Sequence, residues 1–120
     1  EIRIKNQYTD QDTVILLEDI NSELATTAIY VRASDTFTKL GISTGSYHTY
    51  VALGQDWDYY TGRFNTNAFY FRYKEAHVFN TCSAGFNGGT QYLEITLNAS
   101  EGTGSEMINV PPDNFPRISP

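Results

Sequence analysis

Cysteine, tryptophan, histidine and basic charge are all scarce in this 120-residue chain, and each shortage closes off a class of function. Cys82 is the one thiol, so an intrachain disulfide and a thiolate-rich zinc site are excluded. A lone thiol in a β domain reads as a small buried hydrophobe. Only eight Lys and Arg residues are present, scattered along a chain of net charge −6. That balance argues against nucleic acid as a partner, because a phosphate backbone needs clustered bases, and it repels an anionic membrane surface. No stretch approaches the ~18 consecutive apolar residues of a spanning helix, so this segment is not expected to insert directly into a membrane. Internal repeats and low-complexity tracts are missing too, which removes propellers and solenoids.

What the chain does have is aromatic residues, nine Tyr and seven Phe, which favour strands. Strand signals recur at short intervals. Residues 2–5 alternate Ile2 and Ile4 with Arg3 and Lys5, a pattern suited to a charged edge strand and to a monomer or weak dimer pairing there. Residues 13–17 (TVILL) form a continuous apolar run expected of a buried strand, entered through the polar turn at residues 9–12. Residues 28–32 and 35–42 follow, separated by Ala33 and Ser34. In residues 47–53, Tyr47, Thr49, Val51 and Leu53 share one face and His48, Tyr50 and Ala52 the other. Residues 68–73, 77–79 and 92–97 complete the set. Residues 18–27 are the one stretch open to a helical turn. Gly85, Gly88 and Gly89 mark a loop, and Pro111, Pro112 and Pro116 make the tail extended. The expected fold is all-β: a single domain over residues 1–120, an antiparallel β-sandwich of about eight short strands, with a partly open barrel as the alternative. The chain opens with Glu1 inside a strand pattern, so it reads as a piece excised from a longer precursor whose leader or anchor is absent.

Residues 45–64 (GSYHTYVALGQDWDYYTGRF) concentrate the side chains used in recognition. Gly54 breaks the alternation where a bulge or a close backbone approach would redirect the chain. Beyond it, Gln55, Asp56, Trp57, Asp58, Tyr59 and Tyr60 form an aromatic and acidic loop. Trp57 either plugs the end of the sandwich or stands out as a stacking platform. In the second case a sugar ring would stack on Trp57, Tyr59 and Tyr60 while its hydroxyls bond Gln55, Asp56 or Asp58.

The succession Gly45, Tyr47, Tyr50, Ala52, Gly54, Trp57 and Phe64, followed by Ile108, Phe115 and Pro116, resembles a family of small bacterial all-β domains. The resemblance covers most of the chain from Thr13 onward. It implies an extracytoplasmic module at the end of a secreted or membrane-anchored protein, and it carries no assigned activity. Two features depart from the family pattern: the strand at residues 92–97 lacks an expected aromatic residue, and Cys82 with its Gly-rich loop is particular to this chain.

Reaction chemistry finds little footing. Calcium takes about six to eight oxygen ligands, and the Asp-x-Asp pairs at Asp10/Asp12 and Asp56/Asp58 do not continue into a binding loop. His48 and His77 lack a partner at metal-ligand spacing, and no nucleophile elbow accompanies them. The glycine loop has no following helix or Lys to hold a phosphate. The expectation is therefore a non-catalytic extracytoplasmic structural or protein-interaction module, with no cofactor and no metal, whose partner is a protein or glycan at the cell surface. A carbohydrate-binding module is the alternative, and a small hydrolase centred on His48 or His77 the second.

Overall fold

The computed structural model describes residues 1–21, 25–58, 60–79, 93–97 and 107–116. Nine strands run in the order β1 (Ile2–Asn6), β2 (Asp12–Asp19), β3 (Ala25–Val31), β4 (Thr36–Lys39), β5 (Gly45–Asp58), β6 (Arg63–Tyr73), β7 (His77–Phe79), β8 (Leu93–Leu97) and β9 (Met107–Asn109) among the described residues. They form two sheets, neither closed into a barrel: a three-stranded sheet β4-β1-β8 and a six-stranded sheet β3-β2-β5-β6-β9, with β7 paired to β5. The all-β sandwich is the fold.

Between the sheets lies a core with a simple origin. Ile2, Ile4, Ile95 and Leu97 point down from the small sheet onto Ile15, Leu17, Ile29, Val31, Val51 and Leu53 of the large one, and all are buried. The alternation of Ile2 and Ile4 with Arg3 and Lys5 produces this directly, since successive strand residues face opposite sides. On the outer side, Lys5 meets Glu94 at 3.2 Å.

The run TVILL is buried throughout because the large sheet is covered on both faces. Ile15 and Leu17 enter the inter-sheet core, while Val14 and Leu16 join a second cluster with Ala52, Phe64, Tyr70 and Phe115. The lid on this second face comes from the chain's end. Phe115 is 2% exposed and packs against Tyr50 and Tyr70 at 5.7 and 4.9 Å between ring centroids. Its carbonyl accepts a 2.8 Å hydrogen bond from Arg63 Nη2.

Asn6, itself 2% exposed, ties the sheets together at one corner. Its Nδ2 donates to the carbonyls of Gln11 (2.9 Å), Val31 and Arg32 (3.3 Å each), and its Oδ1 accepts from Tyr8 N at 3.1 Å. One side chain thus satisfies backbone groups at the exit of β1, the entry of β2 and the exit of β3.

Several sequence expectations change. The strand at residues 2–5 is central rather than an edge: β1 is flanked by β4 and β8, because Ile2 and Ile4 must lie over the middle of the larger sheet to be buried. The pairing of β1 with β8 is parallel, the one departure from antiparallel order among the described pairs. Residues 18–27 hold no helical turn where they are described. β2 runs to Asp19 and β3 starts at Ala25, with a register shift at Leu17/Glu18. The strand expected over residues 35–42 shortens to β4 and stops before Gly41, whose φ of 74° leaves the extended region. The tail carries β9 and a 3-10 turn, Pro112–Asn114, where extended chain was expected. Cys82, the glycine loop and Tyr92 lie outside the described residues.

Asn6→Ala should lower the free energy of unfolding by about 2–3 kcal/mol, since it strands buried backbone groups as well as losing its own bonds. Urea unfolding monitored by circular dichroism would show this, and an unchanged midpoint would remove Asn6 as a tie between the sheets.

Candidate functional site

The segment after Gly54 is not a loop. β5 continues to Asp58 and pairs with β6 through Gln55↔Thr66, Trp57↔Phe64 and Asp58↔Arg63, forming a long hairpin. Gly54 marks a bulge all the same, for the register shifts between Leu53 and Gln55. The physical reason is contact: a Cβ at Gly54 would sit 2.7 Å from both Cβ and Cγ of Phe64. Phe64 fills the space that any other residue at position 54 would need. Beyond the bulge, Asp56 adopts φ 60°, a left-handed conformation that Asp tolerates better than most residues.

Of the six side chains expected to form one recognition loop, the described ones are dispersed by this hairpin. Gln55 Nε2 donates to the carbonyl of Asp10 at 2.6 Å, and its Oε1 accepts from Asn67 Nδ2 at 3.4 Å. Asp58 Oδ1 receives the backbone N–H groups of Tyr60 (2.8 Å) and Thr61 (3.4 Å), holding the hairpin turn. Tyr60, 97% exposed, projects from the tip. Tyr59 lies outside the described residues. Among the described ones, Asp56 and Trp57 reach a common cavity.

That cavity, about 700 Å³, is a groove on the second face of the large sheet lined by Asp12, Val14, Ala28, Ile29, Tyr30, Asp56 and Trp57. Trp57 is half-buried, neither a sealed plug nor a free-standing platform, and sits edge-on to Phe64 at 4.9 Å. Tyr30 rests on the same ring at 6.5 Å and stays 45% exposed. Phe64 therefore supports both aromatic residues of the groove. Two strand pairings bring the remote residues in: Val14↔Tyr30 joins β2 to β3, and Asp12↔Gly54 joins β2 to the bulge of β5.

Asp12 is bonded through both oxygens, accepting from the Tyr30 hydroxyl at Oδ2 and from Ala33 N (2.9 Å) at Oδ1. Asp56 Oδ2 accepts from Asn65 Nδ2 at 3.1 Å. The Tyr30 phenol is pushed up to about 12, first by its partial burial, then by its hydrogen bond to Asp12 and the charge on that carboxylate, with Arg32 pulling the other way.

The two histidines are not brought together. His48 Nδ1 lies 3.2 Å from Arg72 Nη1 on one face of β5, and His77 Nδ1 lies 2.7 Å from Thr49 Oγ1 on the other. Among the described residues, no three His, Cys, Asp or Glu side chains gather as a metal site would need.

Sequence reasoning missed Tyr30 and Asp12. Their signal was parity: Asp12, Val14 and Leu16 alternate onto the face that Ala28 and Tyr30 share, but the face acquires meaning only once β2 is placed between β3 and β5.

Two measurements follow. Gly54→Ala should cost about 1–3 kcal/mol of stability through overpacking against Phe64, and Phe64→Ala in the same chain should relieve part of that clash; strictly additive losses in urea unfolding would count against it. Tyr30 holds its proton more tightly folded than unfolded, where the phenol titrates at its ordinary value of 10.0. Its contribution is whole below pH 10 and is lost as pH climbs through about 12. Stability should accordingly fall more steeply over that window in the wild type than in Tyr30→Phe; parallel curves would contradict it.

Comparison with protein-family models, curated proteins and solved structures finds no match to this chain.

Proposed function

We propose that this chain is a non-catalytic recognition module of an extracytoplasmic protein, binding its partner through the Tyr30–Trp57 groove. The observation that carries the reading is the groove itself. Its volume of about 700 Å³ falls in the range of ligand sites, which combine apolar walls with a few fixed polar groups. Val14 and Ala28 supply aliphatic surface, Tyr30 and Trp57 supply aromatic faces, and Asp12 and Asp56 supply charge. The walls are fixed before any ligand arrives: Trp57 and Tyr30 lean on Phe64, and Tyr30 is also held through its hydroxyl by Asp12. Such preorganisation lowers the ordering cost of binding.

The extracytoplasmic setting is supported by the resemblance carried by Gly45, Tyr47, Tyr50, Ala52, Gly54 and Trp57. Of the described residues of the sugar-stacking alternative, Trp57 and Asp56 line the groove, with Tyr30 rather than Tyr60 as a second ring. A hydrolase draws no support from His48 and His77, which sit on opposite faces of β5.

Trp57 is the only tryptophan, so its emission reports on the groove without interference. Amide NMR of the labelled chain, screened against glycan fragments, peptides and small organic ions, should move signals of Tyr30, Asp56 and Trp57 together for at least one ligand class. Perturbations confined to other surfaces would place recognition elsewhere and remove this reading.

A further inference from the structure

We propose that the groove takes a trimethylammonium ligand of small-molecule size, its cationic head seated between Tyr30 and Trp57; this rests on the recognition reading above. Charge complementarity is the first argument. Among the described residues, the lining includes two carboxylates, Asp12 and Asp56, and no Lys, Arg or His. The chain as a whole carries −6. Arg32, exposed at the end of β3, is the base that the Tyr30 hydroxyl senses, and it lies outside the lining.

The second argument separates this ligand from a sugar. A sugar is recognised by directional bonds from its hydroxyls to acceptor oxygens. Here both carboxylates already accept from the protein: Asp12 from Tyr30 and Ala33, Asp56 from Asn65. A hydrogen bond occupies a lone pair but does not cancel the charge, which still acts through space. A trimethylammonium head has no N–H to donate and is weakly hydrated. It needs only negative potential and aromatic faces within about 6 Å, the requirement met by cation–π recognition of quaternary ammonium groups. A primary ammonium, strongly hydrated and with three donors to satisfy, fits this arrangement less well.

The third argument is shape. Tyr30 and Trp57 both contact Phe64, at 6.5 and 4.9 Å, so two aromatic walls are set on a common support beside the aliphatic surface of Val14 and Ala28. Methyl groups of the head would meet carbon on those sides and feel the negative potential of Asp12 and Asp56.

The test is titration of the intact chain, read by Trp57 emission and by amide NMR, with choline and with its neutral carbon isostere 3,3-dimethylbutan-1-ol. Glucose oligomers and a trimethyl-lysine peptide serve as further probes. Choline should give saturable changes, with the isostere weaker by about tenfold, the scale of a partly desolvated cation–π contact. Asp56→Asn should weaken choline binding about threefold or more and blunt its salt dependence, while Trp57 keeps its place on Phe64 and the fold is undisturbed. Equal binding of choline and the isostere would overturn the proposal, as would an unchanged affinity in Asp56→Asn. Binding of the peptide alone would overturn the assignment to a small molecule. Groove signals that answer to glucose oligomers and ignore choline would sink the cation while leaving the recognition module standing. Silence of the groove toward every probe, with shifts elsewhere, would remove both.

Discussion

A strand with apolar side chains on both faces has to be covered on both, and β2 is such a strand. Thr13 through Leu17 are all buried, with Ile15 and Leu17 turned toward the small sheet and Val14 and Leu16 turned away from it. Most of the architecture answers this demand. The small sheet β4-β1-β8 covers one side, and the hairpin of β5 and β6 with the tail at Phe115 covers the other. At roughly 1.5–3 kcal/mol for each large apolar side chain removed from water, leaving either face open would forfeit a large part of the net stability of a domain this size. Asn6 closes the corner where the two layers meet, donating to backbone carbonyls at the entry of β2 and the exit of β3.

The groove is the place where this covering is incomplete. Phe115 shields the second face beside Tyr50 and Tyr70, and Trp57 and Phe64 shield it further along. Among the described residues the cover stops between Trp57 and the edge strand β3, and Val14 and Ala28 line an open cavity. Its position follows from Gly54. The missing Cβ lets Phe64 lie against the β5 backbone, and that ring then contacts both Trp57 and Tyr30. One glycine thus links the bulge to the shape of the candidate site.

Much of the fold was legible from alternation alone. Ile2 and Ile4, Tyr47 through Leu53 and the run at residues 13–17 all face as their period requires, and Gly54 marks a bulge. The site was only half legible. Asp56 and Trp57 stand out as recognition-type residues, yet Gln55 and Asp58 belong to the same cluster and are spent on Asp10, Asn67 and the hairpin turn. Composition cannot separate a carboxylate that faces a groove from one that holds a turn. Tyr30 and Asp12 gave no local sign, because nothing in AIYVR or in the turn before TVILL says which strand will lie alongside.

By itself, then, the sequence determined that this is an all-β sandwich, which residues form most of its strands and which faces of them are apolar, because a two-residue period is a local property of the chain. Tertiary structure decided the rest. It placed β1 in the middle of its sheet with a parallel neighbour, turned an apparent loop into the end of a hairpin, and brought Asp12 and Tyr30 beside Trp57. Those outcomes depend on which strands pair, and pairing is settled by burying two faces of one sheet at once, a condition that no single segment of the chain carries.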